Sequence, residues 1–203
     1  YDHLLAPFSS DDMGALICLN DELLVSLDET DPRSLDADSA IDYRLLCAAA
    51  RLENEYLLDV EPRATDPARL LPINAIYQLT IRPVADFTGA MTARLGAIPQ
   101  HLRRARDHLA ARAACIPLLW AESAITAAHQ GAEFVGGLGR HPKVIASAAN
   151  YNSGLIKAAR ALVEFADFLE SAIVPRARGN LACGRTHFEH LLARRHFLAF
   201  DAD

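Results

Sequence analysis

Apolar positions recur every three or four residues along most of the chain, the period of helices that bury one stripe. Ser9-Ser10-Asp11-Asp12 is an N-cap cluster, followed at helical spacing by Leu16, Leu19, Leu23, Leu24 and Leu27. Asp31-Pro32 ends that run, because the residue before a proline is driven out of the helical region. A second helix is predicted from Asp36 or Asp38, with Ile41, Leu45, Leu46, Ala49, Leu52 and Tyr56 as its apolar stripe and Glu61-Pro62 as its stop. Asp66-Pro67 pairs a cap with proline at the first helical position, a start signal. The segment 70–81 is short and contains Pro72.

Three long Ala- and Leu-rich runs follow, at about 84–113, 116–135 and 142–173, and a last helix at about 184–197. Pro99 should kink or divide the first, since it removes a backbone donor and crowds the preceding turn. Pro117 belongs in a first turn. Alternating β-branched runs and Asn-Gly turns, the signals of strands and hairpins, are missing. The expectation is an all-α fold: a single helical bundle of six to eight helices, some kinked at proline. It forms one domain, 1–203, with 1–35 as a candidate N-terminal helical appendage. Ala-Ala pairs at 48–50, 113–114, 127–128, 148–149 and 158–159 raise helix propensity. They also let helix axes approach toward the near end of the usual 8–10 Å spacing.

Composition narrows the classes. The chain has 203 residues, 51% of them hydrophobic and 23% charged. That excludes a disordered tail and is enough for a sizeable core. No apolar run approaches the ~18 residues of a membrane span. No basic-then-apolar leader is recognised, and a cytoplasmic location is expected. The net charge of −6 is uneven: residues 1–70 hold 16 Asp/Glu against 5 Arg, whereas the remainder is net positive. An acidic first third packed on a basic remainder would be self-complementary, but ordinary solvated helix faces are the plainer reading of the charges. No basic stripe is interleaved with stacking aromatics, so nucleic-acid binding is not expected. Cys18, Cys47, Cys115 and Cys183 form no C-x-x-C motif and are expected to be free, buried thiols.

Several constellations could carry chemistry. Glu122, Thr126, His129 and Glu133 share one helix face, where a histidine with carboxylates a turn or two away can act as a base or metal ligand; a solvated face is the plainer reading. His187 and His190 stand three apart on the last helix, but two ligands make no zinc site, and the spacing is not that of H-E-x-x-H. Gly136-Gly137-Leu138-Gly139 lacks the strand and the Gly-Lys-Ser/Thr of a phosphate loop and reads as a helix end. Asn150-Tyr151-Asn152-Ser153 interrupts an Ala-rich helix. Facing inward, it would orient a ligand together with Tyr77, Arg82 and Trp120. The candidate ligand-binding residues are therefore Tyr77, Arg82, Trp120, Glu122, His129, Tyr151 and Asn152. No catalytic residue, metal site or cofactor is assigned.

The C-terminal third carries a resemblance. Arg160-Ala-Leu-Val-Glu-Phe-Ala-Asp-Phe-Leu-Glu170 leads into Val174-Pro-Arg-Ala-Arg-Gly179, then Cys183-Gly-Arg185, His187-Phe-Glu189 and 191–198. With Arg94-Leu-Gly-Ala-Ile-Pro-Gln-His-Leu102 and the Tyr77…Arg82…Asp86 stretch, this resembles domain-of-unknown-function family eight-eight-five. That bacterial family is similar to helical zinc metallopeptidases, and the likeness covers about residues 40–200. Members carry a zinc motif H-E-A-x-P-G-H-H in a later half, and nothing here matches it. The resemblance thus implies the N-terminal helical part alone, with no catalytic or zinc residue to carry over.

Two functions follow as expectations. The first is a non-catalytic or truncated helical domain, acting as a scaffold, substrate-channel wall or partner subunit for a protein or for the missing C-terminal half. It predicts an exposed apolar face where that polypeptide docks. The second is a stand-alone, metal-independent protein that binds a small molecule, or a biosynthetic enzyme of cyclase type. It predicts an enclosed cavity lined by the polar residues just named.

Overall fold

The computed structural model describes residues 2–145 and 148–200, with backbone alone for 148–150. The described residues are all-α. Four long helices start at their sequence caps or close to them. Ser9 caps α1 (Ser10–Asp28) in a reciprocal capping box with Asp12. Asp36 caps α2 (Ala37–Glu55) through the Ser39 amide. Asp86 caps α5 (Phe87–Ala110) through the Gly89 amide. Pro117 stands just ahead of α6 (Leu118–Gly137). Such caps satisfy amides that the first helical turn leaves without partners.

Between them lie the single turn α3 (Pro62–Thr65) and the short helix α4 (Ile73–Ile81). After α6 come the turn α7 (Pro142–Ile145), the long α8 (Ala148–Phe168) and the short α9 (Arg185–His190). Three sequence expectations are adjusted. Pro99 lies inside α5, which continues through it as one helix, so this proline does not divide the run. Asp66-Pro67 starts only a 3-10 turn, Pro67–Leu70. The last helix loosens after His190 into wider turns over Leu191–Arg195.

Where one domain with a 1–35 appendage was expected, the chain divides into two compact units. Residues 2–6 and 63–180 form the first, built on α4 to α8. Its core is a seam between α6 and α8, with α5 also packed against α8. Along α6 the buried positions are Ala121, Ala124, Ala128, Gly131, Ala132 and Val135, nearly all small. The buried side chains of α8 include the large Tyr151, Leu155, Leu162 and Phe165. Small residues on α6 let the two helices approach at close range. From α5 come Met91, Leu95, Ile98, Leu102 and Leu109, all fully enclosed.

Residues 7–62 and 181–200 form the second unit, from α1, α2 and α9. Its enclosed core is slender. Among the described residues the buried ones are Cys47, Ala50, Asn54, Leu57 and Pro62, and α1 buries none. Polar bonds supplement it: Asn20 donates to Asn54 at 2.9 Å, and Asn54 donates to Asp21 at 2.8 Å. The first part of the stripe expected to form the α2 core points outward instead, with Ile41 at 55% and Leu45 at 47% exposure, whereas Leu52 and Tyr56 are half-buried. On α1, Leu19 is likewise exposed.

The cysteines are free, as expected, but only Cys47 is buried. Cys18 lies on the outer side of α1, Cys115 in the turn before α6 and Cys183 beside Gly184, none of which faces a core.

One backbone approach in the first unit is unforgiving. The Gly179 amide donates to the Ile116 carbonyl at 3.0 Å, and a Cβ at Gly179 would fall 2.1 Å from the carbonyl oxygen of Cys115. Backbone, unlike a side-chain tip, cannot swing aside. Gly179→Ala is therefore expected to lower stability by about 1–3 kcal/mol, read by urea unfolding. An unchanged midpoint would show that the 113–117 turn yields freely.

Candidate functional site

The helix phase that buries the small face of α6 carries its polar stripe to the other side. Glu122, Thr126, His129 and Glu133 are all exposed. On α8 the same logic turns Tyr151 inward, at 1% exposure, and Asn152 and Ser153 outward. The side chain of Asn150 lies outside the described residues. Trp120 is half-buried in the first turn of α6. Tyr77, exposed on α4, meets Phe134 edge-on at 6.2 Å between ring centres. Arg82, at the end of α4, pairs with Asp2. Of the seven candidates, then, Tyr151 turns into the core, while Glu122, His129 and Asn152 face solvent and do not line an interior with it. A hundred degrees per residue separates neighbours that the sequence lists side by side.

A charged cluster in the second unit centres on Glu55, which no sequence motif singles out. Glu55 ends α2 and is 13% exposed. His187 Nδ1 donates to one carboxylate oxygen at 3.0 Å, and His190 Nδ1 donates to the other at 2.7 Å. Arg194 Nη1 adds a third bond at 3.2 Å. An ionised carboxylate can only accept, so both imidazoles must carry their proton on Nδ1. Tyr56 stacks on His187, with ring centres 6.2 Å apart.

Local chain geometry positions these groups. The wider turn Tyr56–Val60 continues α2, and Glu61 closes it in the left-handed conformation at φ 45°. Gly184, at φ 86°, opens α9 in a conformation that favours glycine. The i, i+3 spacing then sets His187 and His190 on one side of α9, and Arg194 follows one turn later. Arg185 pairs along the helix with Glu189.

Burial alone would raise the proton affinity of Glu55. The bonds from His187 and His190 outweigh it, and the carboxyl titrates below the ordinary glutamate range. With the protons of both rings committed on Nδ1, any base or ligand function falls to Nε2. Among the described residues, no group of three or more His, Cys, Asp or Glu side chains is arranged to hold a metal ion. What the cluster does plainly is fasten the 185–195 segment to the end of α2. Sequence separations of 132 and 135 residues hide it from local reading.

Comparison with known proteins adds a fold likeness. No protein-family profile and no curated protein matches the chain. Among solved structures, a "putative lipoprotein of unknown function" from Shewanella oneidensis aligns over 86% of this chain with a TM-score of 0.70 and 16% identity. The alignment covers 33% of that protein, so this chain spans about a third of its length.

A carboxyl with a depressed pKa stabilises the fold above its ordinary pKa of about 4.3, and that contribution is lost as pH falls through the lower, folded value. Glu55→Gln is expected to cost about 1–3 kcal/mol at neutral pH, with the deficit closing on acidification below pH ~4. Thermal melts of both proteins across pH check this. A deficit that stays constant into strong acid would refute the ionic role of Glu55.

Proposed function

We propose that this chain is a non-catalytic helical docking domain that binds another polypeptide through the outer face of α1 and α2. One observation carries the reading: the apolar stripe of α2, Ile41, Leu45, Leu46 and Ala49, faces solvent although its periodicity is that of a core-facing helix. Leu19 and Val25 are exposed on α1. Monomeric surfaces rarely keep contiguous apolar area of this kind without a use for it.

Charge defines the occupant. The segments of α1 and α2 hold nine Asp/Glu and two Arg. The partner surface therefore offers aliphatic side chains ringed by Lys and Arg, since opposite charges around an apolar centre steer association and fix register. The likeness to one third of a longer protein supports a domain that works within a larger assembly. The resemblance to the N-terminal helical part of a metallopeptidase-like family supports the same reading, with any catalytic half supplied by the partner polypeptide.

The test replaces Ile41 and Leu45 together by Gln. Because both are exposed, stability should change by less than ~1 kcal/mol. Co-purification with the polypeptide encoded beside it in its genome should be lost, and so should enhanced fluorescence of a hydrophobic dye. A large loss of stability would mean that the stripe serves folding. Unchanged co-purification would remove the docking face.

A further inference from the structure

In the first unit, the buried cation of Arg94 has no carboxylate bonded to it among the described residues. Arg94 stands two turns into α5 and is 7% exposed. Its Nη1 donates to the carbonyl of Ala75 on α4, and its Nε has no partner. A carbonyl answers a hydrogen bond but not a charge, and a buried guanidinium is costly until an anion meets it. Burial and then repulsion from Arg82 weaken the hold of Arg94 on its proton, with Asp2 acting in the opposite sense.

Two further cations gather at the same end of the unit. Arg82 closes α4 and pairs with Asp2. Lys143 donates from Nζ to the carbonyl of Arg82 at 3.1 Å and stands 5.9 Å from the centre of the Phe87 ring. Phe87 in turn meets Tyr151 edge-on, with centres 6.5 Å apart. The Tyr151 hydroxyl is buried and without a partner. Asp86 is spent on the Gly89 amide at the start of α5. Among the described residues, three cations thus share this end of the unit with one carboxylate bonded to them, that of Asp2.

We propose that Arg82, Arg94 and Lys143 form a binding site for an oxyanion, the carboxylate or phosphate group of a small molecule, and that Asp2 occupies Arg82 in its place. Guanidinium forks match both oxyanions with paired, charge-assisted bonds. The positive charge in excess of Asp2 suits an anionic group. Phe87 forms an apolar wall beside Lys143, and the Arg94 guanidinium keeps a donor, Nε, without a protein partner. The inference is independent of the docking face, which lies in the other unit.

The experiment is calorimetric titration of the full chain with inorganic phosphate and, separately, with citrate. Saturable one-to-one binding of either probe, weakened by added salt, is expected. Phosphate alone marks a phosphoryl ligand, citrate alone a carboxylate, and both an unselective oxyanion site; each supports the proposal. Arg82→Gln, at an exposed position, should weaken binding at least about tenfold. Asp2→Asn should tighten it about threefold or more by removing the internal competitor. The same variants read by thermal shift confirm that each remains folded. Absence of saturation with both probes would overturn the proposal, as would full affinity in Arg82→Gln or unchanged or weaker binding in Asp2→Asn.

Discussion

The close approach of α6 and α8 is the constraint on which the first unit depends. Alanine and glycine on α6 leave room for Tyr151, Leu155, Leu162 and Phe165 from α8. Once that seam closes, helix phase dictates everything else on both helices. The polar stripe of α6 has nowhere to go but outward, and Tyr151 nowhere but inward. Gly154 is part of the same fit on the α5 side, where a Cβ would already stand 3.4 Å from that of Leu95. The buried hydroxyl of Tyr151 is thus a consequence of packing, and its lack of a protein partner is what makes it informative about chemistry.

Local features were legible in the sequence because local physics decides them. The caps at Ser9 and Asp36 satisfy amides within three residues, so a short motif contains the whole interaction. The all-α class follows from the period of the apolar residues. Pro99 was less legible, because a proline's missing donor can be tolerated in a helix whose neighbours hold it from several sides, as those of α5 do at Ile98 and Leu102. Asp66-Pro67 shows the opposite limit: a sound start signal yields only a turn, because Leu71-Pro72 follows within one more turn.

The site was far less legible. Glu55 looks like any acidic residue at the end of a helix until residues more than 130 positions away return to it. No spacing rule reaches that far. His187 and His190 could be seen as a pair, but their chemistry depends on what their Nδ1 atoms meet, and a shared carboxylate makes them a fastening. Arg94 is similar. It sits among apolar residues in a pattern that admits one polar intruder, and only the tertiary structure reveals that the intruder is enclosed and poorly compensated.

The two units handle buried charge in contrasting ways. Glu55 is met by two imidazoles and a guanidinium, so its ionised form is favoured in place and the charge holds chain segments together. Arg94 receives a single neutral acceptor. The difference tracks the apolar cores. The first unit has a deep core that can sustain the cost of one imperfectly paired cation, since burial of its large aliphatic side chains contributes about 1.5–3 kcal/mol each. The second encloses few side chains and leaves its best apolar stripe outside. It therefore has no such margin, and its charges must be paired. A unit built that way gains most from a partner that covers the stripe, because the apolar burial missing from its own interior is then supplied at the interface.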